Sequence, residues 1–177
     1  MRRVTARRLL GSAALSGVLL AGCSTGTESG NFEPDIAKMT ITVITQAGTV
    51  GTDYTATDAA NGFGGATATV PIGLFHVVGT FYRPNGSREP SLPPQDFALR
   101  VSTSSTNQVL PPGISFEQDP ATPLEGTIAG MEAGQELLFY FSLYHTSQGH
   151  PDFGPYALRI RYVAPPPPGG GGGGGEF

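Results

Sequence analysis

Residues 39–45 read Met-Thr-Ile-Thr-Val-Ile-Thr, apolar side chains alternating with threonine. That period of two marks a strand with one face buried and one face wet. Ala66-Thr-Ala-Thr-Val70 repeats the pattern, and Phe97-Ala-Leu-Arg-Val101 alternates as well. Residues 72–82 are apolar on both faces, interrupted by Gly73 and Gly79. Residues 114–116 and 124–129 add two short strands, and 136–145 and 156–163 add two more. Turn signals lie between them: Asn61-Gly62, Pro84-Asn85-Gly86, Pro93-Pro94, Pro111-Pro112-Gly113 and Ala133-Gly134. No stretch holds a helical period over ten or more residues. Seven or eight short strands with turns every ten or so residues predict an all-β domain, an antiparallel β-sandwich. An eight-stranded barrel is the architectural alternative.

The run from Gly126 to Phe141, Gly-Thr-Ile-Ala-Gly-Met-Glu-Ala-Gly-Gln-Glu-Leu-Leu-Phe-Tyr-Phe, resembles the corner before the penultimate strand of immunoglobulin-like and fibronectin-like domains. There a strand ends, a turn of small residues and glycine follows, and an aromatic strand begins. The tyrosine such domains carry shortly after the turn is replaced here by Leu137-Leu138, with tyrosine only at Tyr140. The resemblance implies an immunoglobulin-like sandwich and no activity, since sandwich folds host many functions.

The two ends of the chain are of a different kind. Arg2, Arg3, Arg7 and Arg8 precede a thirteen-residue apolar or small stretch, 9–21, which runs into Leu20-Ala21-Gly22-Cys23. This is a basic region, a short apolar region and a small-residue cleavage site. Thirteen residues make roughly 20 Å of helix, against a hydrocarbon core of roughly 30 Å, so the stretch is too short to span a membrane. The run resembles the lipobox of bacterial lipoprotein precursors. The resemblance implies a diacylglyceryl thioether on Cys23, cleavage before it and acylation of the new amine. Arg7-Arg8 before Leu9-Leu10 also resembles a twin-arginine export signal without its flanking Ser/Thr. The chain then divides into a signal peptide, 1–22, a flexible tether, 23–35, a β-sandwich domain, 36–164, and a Pro/Gly-rich disordered tail, 165–177. Small polar residues in the tether, and four prolines followed by seven glycines in the tail, have too little apolar surface to order.

Charge narrows the partners. The leader holds four of the ten basic residues and none of the fourteen acids, so the mature 155-residue chain carries a net charge of −8. A strongly acidic chain has no clustered Lys/Arg to displace the counterions of nucleic acid. It has no electrostatic grip on anionic lipid either, which leaves the acyl chains on Cys23 as the membrane contact. Cys23 is the one cysteine, so no disulfide is available, and a domain of this length buries a core without one. The expected location is the cell envelope, lipid-anchored; where two membranes exist, Ser24 after the cysteine resembles the outer-membrane sorting pattern, facing the periplasm or the surface.

Chemistry-bearing residues are few. The three histidines are His76, His145 and His150, and two of them fall in Tyr144-His-Thr-Ser-Gln-Gly-His-Pro-Asp-Phe-Gly-Pro155, read as a loop joining the last two strands. His145 continues the apolar row Leu137, Phe139, Phe141, Leu143. A hairpin loop that folds back brings His145, His150 and Asp152 together, and His76 could join from a neighbouring strand. Two or three imidazoles and a carboxylate suit zinc or copper(II). The same residues are also ordinary turn chemistry, with proline presetting φ and Asp capping local N–H groups. No Gly-x-Ser-x-Gly elbow is present, and the glycine-rich Asn61-Gly-Phe-Gly-Gly65 has no helix after it to complete a phosphate cradle. Glu117/Asp119 and Glu132/Glu136 read as solvated turns, and Asp53 and Asp58 lack calcium-loop spacing. The expectation is a non-enzymatic envelope lipoprotein with a structural or binding role and no cofactor, its protein, glycan or small-molecule partner open. The alternative is a zinc- or copper-binding lipoprotein using His76, His145, His150 and Asp152.

Overall fold

A computed structural model describes residues 34–57, 63–89, 92–118 and 120–167, without the side chains of 51–53 and 57. The leader, the lipobox with Cys23, the tether up to residue 33, the Asn61-Gly62 turn and residues 168–177 lie outside the described residues. What is described contains nine strands and no helix. They are β1 (Lys38–Thr45), β2 (Gly48–Thr57), β3 (Thr67–Val70), β4 (Phe75–Tyr82), β5 (Phe97–Ser102), β6 (Ser115–Gln118), β7 (Glu125–Ala129), β8 (Glu136–His145) and β9 (His150–Tyr162). A five-stranded sheet, β2-β1-β4-β7-β6, and a four-stranded sheet, β3-β9-β8-β5, enclose one core. The architecture is the all-β sandwich that the alternating pattern predicts.

The alternation is realised residue by residue. Along β1 every second side chain is buried, with Met39, Ile41, Val43 and Thr45 inside and Thr40 and Thr42 on the other face. β4 inserts Phe75, Val77 and Phe81 from the same sheet. The facing sheet contributes Phe97 and Leu99 from β5, Phe139, Phe141 and Leu143 from β8, and Leu158 and Ile160 from β9. Phe75 meets Phe139 edge-to-face at 6.5 Å, an aromatic contact between the two sheets. Gly79 occupies an inward position of β4 where a Cβ would stand 3.1 Å from Leu99 Cδ1. The glycine there lets the core close over β4.

Three elements differ from the expected pattern. β2 was not expected; its Gly48-Thr-Val-Gly-Thr-Asp-Tyr-Thr-Ala-Thr57 has little alternation. It is an edge strand that pairs with β1 alone among the described strands, with Ala56 buried and Val50 and Tyr54 packed against the core. β3 runs parallel to β9, although the expectation was an antiparallel sandwich. The chain leaves the first sheet after β2, lays four residues along β9 and returns to the first sheet as β4. Finally, the stretch read as a loop from 145 to 155 is mostly strand: β9 begins at His150, and only residues 146–149 turn. Pro151 and Pro155 fit inside it because β3 pairs only with residues 159–162, so β9 has a free edge on that side further up.

Candidate metal centre

The inward row of β8 ends on His145, which is 3 % exposed. Gly149, at φ 76°, closes the turn by donating its N–H to the His145 carbonyl at 2.8 Å. The turn is pinned to the rest of the domain by Thr146, whose N–H reaches Asp96 O and whose hydroxyl reaches Gln95 O, each at 2.8 Å. β9 then starts with His150 directly opposite His145 in the register. Residues opposed across an antiparallel pair project to the same face. The two imidazoles therefore meet edge-on, 5.9 Å between centroids. Phe97, paired with His145 from β5, stacks on the other side of the buried ring at 4.5 Å.

Asp152 joins them through an irregularity in the ladder. Tyr144 pairs with Pro151 but Leu143 pairs with Phe153, so Asp152 is an extra residue in the ladder. Bulges of this kind re-aim a side chain. The carboxylate lies 3.0 Å from His150 Nδ1 and 3.4 Å from His145 Nδ1, with its side chain 9 % exposed. A second register shift follows, where Gly154 sits at φ 95°. A Cβ there would stand 2.7 Å from the Phe141 carbonyl oxygen, so only glycine fits the turnout of the bulge.

One potential ligand atom from each of His145, His150 and Asp152 lies within 4.8 Å of the other two. His145 Nδ1 is buried and accepts or donates no hydrogen bond. Leaving such an atom unmatched costs about 1–3 kcal/mol. His150 Nε2–H donates to Gln148 Oε1 at 2.6 Å, which leaves Nδ1 as the nitrogen turned towards Asp152. An outer partner of this kind sets the tautomer of a ligating histidine. Two imidazole nitrogens and a carboxylate oxygen are a donor set for borderline divalent ions, and three protein donors leave a coordination position for water or a small ligand.

His76 is elsewhere. It lies on β4 in the five-stranded sheet, at an outward position between buried Phe75 and Val77. Its neighbours there are Thr127 Oγ1 at 3.3 Å from Nδ1 and Glu125 Oε2 at 3.4 Å from Nε2. The expectation that His76 shares a site with the other three is corrected on this point. Even-numbered β4 residues face away from the core, whereas odd-numbered β8 residues face into it. Gln148 was not foreseen, and neither was the Phe97 stack, because both depend on the turn and on strand pairing. No protein-family model, curated protein or solved structure matches the chain.

Proposed function

We propose that this protein is a non-enzymatic, lipid-anchored envelope sandwich that binds a zinc or copper(II) ion at the end of its β8–β9 hairpin. The observation that carries the metal reading is the convergence of His145, His150 and Asp152 within 4.8 Å around a buried imidazole nitrogen that lacks a hydrogen bond. The support for the anchor is the Leu20-Ala21-Gly22-Cys23 run behind a basic and apolar leader. Export would follow from the same leader, and the membrane would be its first partner. The order β1-β4-β7-β6 against β9-β8-β5 supports an immunoglobulin-like topology.

The deciding experiment is a thermal melt of the protein at pH 7.5 with and without zinc or copper(II). An ion bound only to the folded state stabilises it by mass action, by about 2.7 kcal/mol at a hundredfold excess over Kd. His145→Ala and Asp152→Ala should abolish the rise. An unchanged melt of the wild-type chain in both metals removes the metal reading and leaves a turn built of the same residues.

A further inference from the structure

Six basic residues remain after the leader, and three of them, Arg100, Arg159 and Arg161, lie on the outer face of the four-stranded sheet. Arg159 is neutralised by Glu136 at 2.7 Å. Arg100 has no carboxylate within ion-pair distance among the described residues. It is held instead over the Tyr144 ring, 4.9 Å from the centroid. The ring restricts a side chain that would otherwise lose much rotamer freedom on binding.

Beside it is a hollow of about 140 Å³ between β5, β8, the first residues of β9 and the segment 104–108. Its wall includes Arg100, Ser102, Ser104, Asn107, Ser142 and Pro155, and among the described residues Arg100 is the one charged residue lining it. No acidic residue among the described residues lines it, in a mature chain of net charge −8. Ser102 and Ser142, each 7 % exposed, form the floor. The wall is shaped by its own hydroxyls. Ser102 Oγ donates to Ser104 O at 2.7 Å, and Ser104 Oγ accepts from the N–H groups of Thr106 and Asn107.

A restrained arginine at the wall of a hollow of hydroxyl and amide groups matches a carboxylate attached to a hydroxylated carbon frame. The guanidinium fork takes the carboxylate with two parallel bonds, and the hydroxyls and amides take the neighbouring hydroxyl groups. We infer that this hollow is a binding site for a sugar acid, with Arg100 as its anchor. Arg100 lies on the face opposite to the buried His145 imidazole, and none of the three proposed metal ligands is among the residues that line the hollow.

The test is calorimetric titration of the full-length protein in detergent with galacturonate, with galactose, and with a tri-galacturonate. Galacturonate should bind at least about tenfold more tightly than galactose, because the charge-assisted pair is absent from the neutral sugar. Arg100→Gln should erase that preference, Arg100→Lys should restore part of it, and Arg159→Gln should leave it intact. Ser142→Leu, which fills the hollow while keeping Arg100, should also abolish binding. Tighter binding of the trimer assigns the site to an acidic glycan chain, and binding confined to the monomer assigns it to a free sugar acid. Equal affinities for galactose and galacturonate, or an Arg100→Gln chain that binds as wild type, would overturn the inference, as would no binding by either acid.

Discussion

Phe139 is fully buried and stands against Phe75 of the opposite sheet, so its ring joins the two layers. Phe139→Ala should cost about 3–5 kcal/mol in chemical denaturation, the range for removing a buried aromatic. A cost below about 1 kcal/mol would mean the space collapses or the ring is not between the sheets. Glu89 is a different kind of buried residue, 5 % exposed and bound through both carboxylate oxygens by the Arg83 guanidinium. The hydrogen bond from Arg83, and then the negative charge, hold the arginine above its ordinary pKa. Glu89→Gln keeps the shape and removes the charge, and should lower the denaturation midpoint as the charge-assisted bonds are lost. His145 is the residue on which the metal reading turns. Metal ligation needs the neutral imidazole, so acid should weaken the metal-induced rise in melting temperature. A rise that persists unchanged at pH 5 points to carboxylates rather than histidines as the ligands.

At the scale of elements, β9 is the strand that makes the site. It supplies His150 opposite His145, then spends two extra residues in register shifts, and the first of them is Asp152. Gly154 makes the second shift sterically admissible. Gly154→Ala should therefore cost about 1–3 kcal/mol, from a left-handed backbone that alanine resists and from its contact with the Phe141 carbonyl. Its second effect is the more diagnostic one. The variant should lose most of the stabilisation by zinc or copper(II), although no ligand has been changed. A Gly154→Ala chain that is destabilised yet responds fully to metal would separate the bulge from the site.

At the scale of the whole molecule, residues 36–164 hold a continuous core shared by both sheets. A protein cut to that span should give a β-type circular dichroism spectrum and a single cooperative melt, as small single domains do. A large helical signal or two separate transitions would contradict one shared core. The proposed membrane attachment belongs to the other end of the chain, at Cys23. The wild type should partition with membranes and Cys23→Ala should be found uncleaved or soluble, because stable anchoring takes two or more acyl chains. Wild-type protein wholly in the soluble fraction without detergent would remove the lipid anchor.

The sequence by itself determined what depends on neighbouring residues. Period-two alternation at 39–45 and 97–101 placed Met39, Ile41, Val43, Phe97 and Leu99 inside, because side chains on a strand point to alternate faces whatever the strand pairs with. It also placed His145 on the apolar face at the end of β8. Tertiary structure decided what depends on pairing. β2 became a strand because β1 offers it a ladder, and β3 lies parallel to β9 because the chain changes sheets there. Which histidines meet was decided in the same way. His145 faces His150 because the hairpin register sets them opposite each other, Asp152 turns towards them because the ladder slips by one residue, and His76 stays on the outer face of the other sheet. Register and sheet order are contacts between segments distant in sequence, and no local pattern encodes them.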